Sequence, residues 1–193
     1  MKTYRNAQRT KKWIRQAFTE MLAEKRDIGK ITVTELAKRA DISKTTFYYH
    51  YPDIYAVAQE FEDELTEQLS AALTEFGESV TPGNANFEHY TRGIISFLKE
   101  NEENYRLVMC ASSPRLFTEK LKKIIAKKIT ESVTFTPFKT DSKKWEIQVF
   151  FLSGAYVDVV AEYFKGGFSV GFDTVAEVLL EATAKLTANR TDK

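Results

Sequence analysis

Cysteine and histidine are scarce in this sequence, which holds one Cys and two His among 193 residues. A single Cys110 excludes an internal disulfide framework and cannot supply the paired thiolates of a structural zinc site. The chain also lacks a Gly-x-Ser-x-Gly elbow, a His-Glu-x-x-His pair and a phosphate-cradling glycine loop. We therefore expect no catalytic residues, no metal, no cofactor and a protein that is not an enzyme.

Long apolar runs are also missing, since no stretch of about 18 uninterrupted apolar residues occurs. The first sixteen residues, MKTYRNAQRTKKWIRQ, lack the apolar centre and small-residue cleavage site of a secretory signal. With 43% hydrophobic and 28% charged residues, the composition is that of an ordinary soluble protein. These features predict a cytoplasmic protein without a membrane partner.

Charge is unevenly distributed along the chain. Residues 1–51 contain twelve basic and five acidic side chains, a net charge of +7, whereas the remaining residues carry a net charge of −6. The basic first quarter is therefore the part expected to meet a polyanion. A solvated basic surface without any partner remains the alternative.

Helical signals dominate the N-terminal part. Apolar residues recur at helical spacing over 10–26, and Thr32 and Glu35 have the spacing of a capping box that starts a second, short helix. Asp41 falls in the following turn, where a residue with positive φ is often needed, and Ser43 is suited to cap a third helix that ends before Pro52. This order predicts a helix-turn-helix unit with a supporting first helix.

The rest of the chain also predicts helices, at 52–76, 87–101, 104–111, 114–132, 142–165 and 172–189. TPGNAN at 81–86 indicates a loop, and SVTFTPF at 132–138 an extended connection. We expect an all-α fold with two domains. The helix-turn-helix domain covers 1–51, and a larger helical regulatory and dimerisation domain covers 52–193, with 52–76 as a connecting helix.

The third helix has the side chains of a DNA-reading surface. On a helix that starts at Ser43, Phe47 and Ile42 turn inward against Leu36 and Trp13, leaving the opposite face polar and aromatic. That face can bond base edges and phosphates in a major groove. Hydroxyl and N–H groups at the start of the second helix can hold a further phosphate. The candidate DNA-binding residues on this reasoning are Thr32, Thr34, Lys44, Thr45, Tyr48 and Tyr49.

The run ITVTELAKRADISKTTFYYHYPDIYAV resembles the DNA-binding domain of the TetR family of bacterial transcription regulators, over roughly residues 8–57. The resemblance implies an all-helical homodimer that places one recognition helix per chain in a palindromic double-stranded DNA operator. Carried over by position, it adds Ser43, Thr46 and His50 to the candidate DNA-binding residues. It also implies a C-terminal domain that binds a small-molecule effector and dimerises through the last two long helices. The stretch YYHYPDIYAV is similar to regulators of dihydroxyacetone kinase operons.

Two positions depart from the family pattern. Asp41 stands where a glycine is usual, and Asp53 and Ile54 stand where a lysine commonly contacts phosphate. Arg9, Lys11 or Lys12 are the candidates to replace that contact.

The ligand pocket is expected among the aromatic and apolar residues of the C-terminal domain, although the same residues could be plain core. The candidates are Phe87, Tyr90, Phe97, Tyr105, Met109, Cys110, Phe117, Phe150, Phe151 and Tyr156. The expected function is transcriptional regulation, as a repressor released from its operator by the effector. The alternative is a helical adaptor or co-activator of the same fold that acts through a protein partner.

Overall fold

The structure is a computed structural model that describes residues 2–78, 87–111, 114–131 and 142–188, and every regular element in these ranges is helical. The predicted all-α fold is therefore confirmed. The loop at 81–86 and the connection at 132–138 lie outside the described residues. The helices are α1 (Lys2–Lys25), a 3-10 turn (Ile28–Lys30), α2 (Val33–Arg39), α3 (Lys44–His50), α4 (Ile54–Glu78), α5 (Phe87–Glu100), α6 (Glu102–Cys110), α7 (Pro114–Glu131), α8 (Ser142–Phe164) and α9 (Phe172–Ala188).

Three helix starts differ from the sequence prediction, and α6 begins at Glu102 rather than at residue 104. Helix α1 begins at Lys2 rather than near residue 10, because residues 2–9 contain no Gly or Pro although they add nothing to the apolar stripe. Helix α4 begins at Ile54 rather than at Pro52. Its first turn is capped by Asp53, whose Oδ1 accepts a hydrogen bond from the N–H of Ala56 at 2.8 Å.

The turn between α2 and α3 is a Schellman motif. The N–H of Ile42 donates to the carbonyl of Ala37 at 3.0 Å, and the N–H of Asp41 donates to the carbonyl of Lys38 at 3.3 Å. Asp41 itself has φ 53°, the left-handed conformation that the sequence predicted for this position. The motif ends α2 and turns the chain into α3 within a few residues.

An apolar cluster under this turn holds the N-terminal helices together. Ile14, Phe18, Leu36 and Phe47 are fully buried, and all four belong to the same core. Trp13, which the sequence places against Ile42 and Phe47, is not one of the buried residues of this core. The Trp13 side chain is 42% exposed, and the guanidinium carbon of Arg9 lies 4.9 Å from the ring centroid.

Helix α4 continues from this cluster into the core of the C-terminal helices. The buried Tyr105 hydroxyl of α6 donates to the Leu65 carbonyl of α4 at 2.8 Å, and the Tyr105 ring packs between Phe97 and Phe117. Ion pairs join the helices at the surface, including Lys120 of α7 with Asp63 of α4 at 3.0 Å. Helix α6 also contacts α1, so the two parts of the chain touch beyond α4.

We expect Asp41→Ala to be less stable than Asp41→Gly by about 1 kcal/mol, because alanine is strained at a positive φ that glycine adopts freely. Urea unfolding of both variants, followed by circular dichroism, gives the difference in the free energy of unfolding. The matched control is the exposed Lys38 in α2, where the order should reverse, with Ala more stable than Gly by about 1 kcal/mol. The same order at both positions would contradict the left-handed geometry of Asp41.

Candidate nucleic-acid interface and central cavity

One face of α3 is turned to solvent and carries the polar and aromatic side chains predicted for DNA contact. Lys44, Thr45, Tyr48 and Tyr49 are all exposed, with Tyr48 at 57% and Tyr49 at 79%. The opposite face is anchored by Phe47, whose ring is fully buried. The Phe47 and Tyr48 rings meet edge-on, with their centroids 5.6 Å apart. We call these four exposed residues the α3 face.

The N-cap of α3 uses two of the predicted DNA-binding hydroxyls. Ser43 Oγ accepts a hydrogen bond from the Thr46 N–H at 3.0 Å and lies 2.8 Å from Thr46 Oγ1. Both hydroxyls therefore position the start of α3. At its other end, His50 is half-buried beside the Tyr49 ring, and burial together with the nearby charge of Lys11 lowers the pKa of His50. His50 is therefore neutral at pH 7 and can serve only as a hydrogen-bonding group there.

The start of α2 is closed by its own capping box. Glu35 Oε2 accepts from the Thr32 hydroxyl at 2.8 Å and from the Thr32 N–H at 3.2 Å, and it also accepts from Lys25 Nζ at 2.8 Å. These bonds lower the pKa of Glu35 to about 2, the Lys25 hydrogen bond having the largest effect. The Thr32 hydroxyl is thus engaged within the chain, whereas Thr34 is exposed beside it.

Several cations of the basic N-terminal part are bound to carboxylates of the same chain. Arg39 makes a two-point contact with Glu24, at 2.6 and 2.9 Å. Lys11 pairs with Glu60 at 2.7 Å, so it is held against α4 rather than extended toward a phosphate. The exposed cations of the N-terminal part include Lys12, Lys38 and Lys44.

A carboxylate occupies the start of α4, where the family commonly has a lysine. Asp53 is exposed and caps the helix through the Ala56 N–H. A carboxylate at this place repels a phosphate instead of binding it. Asp53 therefore does not supply the phosphate contact that the family resemblance implies at this position.

The six C-terminal helices α4 to α9 enclose a cavity of about 50 Å³. Most of its wall is aliphatic, with Leu69 from α4, Ile94 from α5, Ile125 from α7 and Val160 from α8. The described lining contains no Lys, Arg, Asp, Glu or His side chain. We call this space the central cavity.

A small group of buried hydroxyls interrupts the aliphatic wall. The Tyr156 hydroxyl lies 3.3 Å from Thr91 Oγ1, contacts the Thr183 hydroxyl and donates to the Leu179 carbonyl at 3.2 Å. Thr183 donates to the same carbonyl at 2.7 Å. Burial raises the pKa of Tyr156, which keeps this phenol neutral. We call Thr91, Tyr156 and Thr183 the hydroxyl cluster.

The structure brings only some of the predicted pocket residues to the central cavity. Tyr90, Met109 and Tyr156 line it. Phe97, Tyr105 and Phe117 pack against one another in the core instead. Cys110 is half-buried and donates its thiol hydrogen to the Phe164 carbonyl at 3.0 Å, outside the cavity. Phe87 begins α5, and its side chain lies outside the described part of the chain.

Phe150 and Phe151 require a correction, because the structure turns both away from the cavity. Phe150 is 79% exposed and Phe151 61% exposed. Neighbouring positions on α8 and α9 are similar, with Ile147 68% and Val178 58% exposed. A Cβ added at Gly154, one turn beyond Phe150, would meet no atom within 4 Å. We call Ile147, Phe150, Phe151 and Val178 the outer apolar face.

Sequence reasoning missed the small polar residues of the cavity wall. Thr91, Ser153 and Thr183 are each at most 3% exposed, and all three line the cavity. The sequence signal for Thr91 is its spacing. Thr91 lies three, four and seven residues before Ile94, Ile95 and Leu98, which places it in the same buried stripe of α5.

Metal-binding groups and long apolar helices also bear on what the site can do. Within the described ranges, no group of three His, Cys, Asp or Glu side chains could hold a metal ion. One described helix segment, Lys143–Phe164, is long and apolar enough to cross a membrane by length and composition, although a third of its most apolar window is buried inside the protein.

The comparisons with known proteins agree with this geometry. Residues 17–61 match the family model described as bacterial regulatory proteins, tetR family. The HTH-type transcriptional regulator EthR of Mycobacterium tuberculosis is 33% identical over 92 residues, which are 48% of this chain and 42% of EthR. The chain thus spans less than half the length of this curated relative.

Solved structures extend the likeness to nearly the whole chain. The TetR family repressor AlkX from Dietzia sp. strain DQ12-45-1b has a TM-score of 0.54 at 16% identity, covering 92% of this chain and 97% of AlkX. The dihydroxyacetone kinase operon activator DhaS has a TM-score of 0.63 at 13% identity, covering 93% of this chain and 96% of DhaS. Such low identities show the shared fold alone. The family match at 17–61 and the helix-turn-helix geometry agree, so this part of the chain is similar to the DNA-binding domain of tetR family regulators.

Proposed function

We propose that the chain is a sequence-specific DNA-binding transcriptional repressor that acts as a homodimer on a palindromic double-stranded DNA operator. A small-molecule effector bound in the central cavity releases it. The α3 face is the observation that carries this proposal, since a short helix anchored by Phe47 presents a lysine, a threonine and two tyrosines outward. These groups suit base edges, phosphates and sugars in a major groove.

The homodimer is supported by the outer apolar face on α8 and α9. Large exposed apolar side chains mark interaction sites on soluble proteins, and Ile147, Phe150 and Phe151 have the three- and four-residue spacing of one helix face. The free space at Gly154 permits close approach by a helix of a second copy. A two-fold dimer through these helices would place two α3 faces on a two-fold operator, with successive major grooves about 34–36 Å apart.

The effector step is supported by the position of α4. This helix passes from the core under α2 and α3 to the wall of the central cavity, where it contributes Leu69. An effector releases the operator only if it binds more tightly to a dimer whose recognition helices no longer fit successive grooves. Binding in the cavity can favour such a dimer by changing how α4 packs.

A regulator that works on DNA inside the cell belongs in the cytoplasm, and the proposal needs no membrane. The adaptor alternative is not favoured, because the matched relative is a transcriptional regulator with the same helix-turn-helix domain. The similarity of the stretch YYHYPDIYAV to regulators of dihydroxyacetone kinase operons stays a prediction. So do the DNA contacts of Thr32, Thr34, Ser43, Thr46 and His50.

Tyr48→Ala is expected to weaken operator binding about tenfold or more, because it removes a hydroxyl and an exposed ring from the α3 face. Lys44→Ala should weaken binding and also lower the slope of log affinity against log salt by about 1, if Lys44 neutralises one phosphate. Fluorescence anisotropy of operator DNA over a salt series measures both effects.

The matched control for the lysine is Lys127→Ala on α7, since Lys127 is 70% exposed and lies in the C-terminal part. It should leave affinity and salt slope unchanged. Circular dichroism of each variant should match the parent protein. If Tyr48→Ala or Lys44→Ala loses helical content together with binding, those side chains belong to the fold and not to the interface.

Phe150→Asp is expected to weaken dimerisation by about 100-fold or more, because it would bury an unpaired carboxylate in the proposed interface. Analytical ultracentrifugation over a concentration series gives the dissociation constant. Leu116→Asp on α7 is the control, since Leu116 is 73% exposed but lies outside the outer apolar face. A monomeric parent protein, or a Phe150→Asp variant that dimerises as tightly as the parent, would exclude this interface.

A further inference from the structure

We infer that the effector is an uncharged, largely apolar molecule held in the central cavity with any polar atom beside the hydroxyl cluster. This inference rests on the proposed function, which supplies the need for an effector. It goes further because the side chains that line the central cavity indicate the chemical class of the effector.

The wall gives an ionic ligand nothing to pair with. Its described lining consists of aliphatic and aromatic side chains, one methionine and a few hydroxyls, without a charged group. An ion moved from water into such a site loses its hydration and gains no counter-charge, which costs far more than burying a neutral polar group. Carboxylates, phosphates and ammonium compounds are therefore disfavoured as ligands.

The hydroxyls of the cavity wall sharpen this selection because the hydrogens of Tyr156 and Thr183 in the hydroxyl cluster, and that of Ser153 beside it, are already used. Thr183 and Tyr156 both donate to the Leu179 carbonyl, and Ser153 donates to the Phe150 carbonyl at 3.1 Å. An anion would need these hydrogens and could obtain them only by breaking existing bonds. The hydroxyl oxygens still have lone pairs, so the cluster can accept a hydrogen bond from a neutral alcohol or a similar donor.

Size adds a second constraint. The cavity of about 50 Å³ is smaller than the roughly 150 Å³ apolar cavity known to take up benzene. A larger molecule must therefore displace part of the wall. Leu69 on α4 and Met109 on α6 belong to that wall, and α6 also contacts α1. An apolar effector that expands the cavity thus acts on two helices that reach the DNA-binding helices.

The test uses three probes with the same eight-carbon chain, namely 1-octanol, octanoate and octylammonium, titrated into the full chain at pH 7.5 by isothermal titration calorimetry. The expected result is one 1-octanol per chain, with the two ions binding at least about 100-fold more weakly. The measurement contains no DNA, so its outcome is independent of operator binding.

Variants locate the binding in the cavity. Ser153→Leu should abolish 1-octanol binding by filling the space, while Ser96→Leu on the exposed surface of α5 should not. If Ser153→Leu fails to fold, as judged by circular dichroism, Tyr156→Phe provides the second test. It removes one hydroxyl of the cluster, and it should weaken binding of 1-octanol while leaving that of n-octane unchanged.

Three results would overturn the inference. These are no binding of 1-octanol, binding of octanoate or octylammonium as tight as that of 1-octanol, and full 1-octanol binding by folded Ser153→Leu. Failure of the proposed function looks different. In that case 1-octanol binds in the cavity as expected, but one of two other results is seen. Either the protein binds no specific DNA sequence, or its affinity for the operator does not change when 1-octanol is bound.

Discussion

Burial of one apolar stripe along α4 is the constraint on which the rest of the structure depends. Ile54, Val57 and Phe61 belong to the core under the helix-turn-helix, and Leu65 and Leu69 continue the stripe into the C-terminal core. Because the stripe is continuous, neither part can change its packing on α4 without affecting the other. A division of the chain into domains at residues 51 and 52 stays a prediction, and α4 packs with both sides of it.

The N-terminal part satisfies most of its own polar groups and leaves a limited surface for a partner. Glu35 closes the start of α2, and Ser43 caps α3. The ion pair of Lys11 with Glu60, a residue beyond this part, offsets one of its seven net positive charges. The groups that still face solvent on α3 are suited to a groove, so the specificity of the proposed complex would come from a few side chains rather than from overall charge.

How much the sequence could predict depended on whether a feature is local. The capping box at Thr32, the left-handed Asp41 and the cap at Ser43 are decided by neighbouring residues, and the structure has all three. Which face of α8 is buried depends on how α7 and α9 pack against it. The sequence does not show this packing, so Phe150 and Phe151 were predicted to line the pocket although both are exposed. Polar residues of the cavity wall were missed because they meet only in three dimensions.

The most direct test of the account is to incubate the purified protein with fragmented genomic DNA from its source organism and to sequence the fragments that it retains. A sequence-specific dimeric regulator predicts recovery of a palindromic site whose half-sites are about one helical turn apart, with binding that falls steeply as salt is raised. Retention of fragments without a shared site, at every salt concentration, would contradict the account.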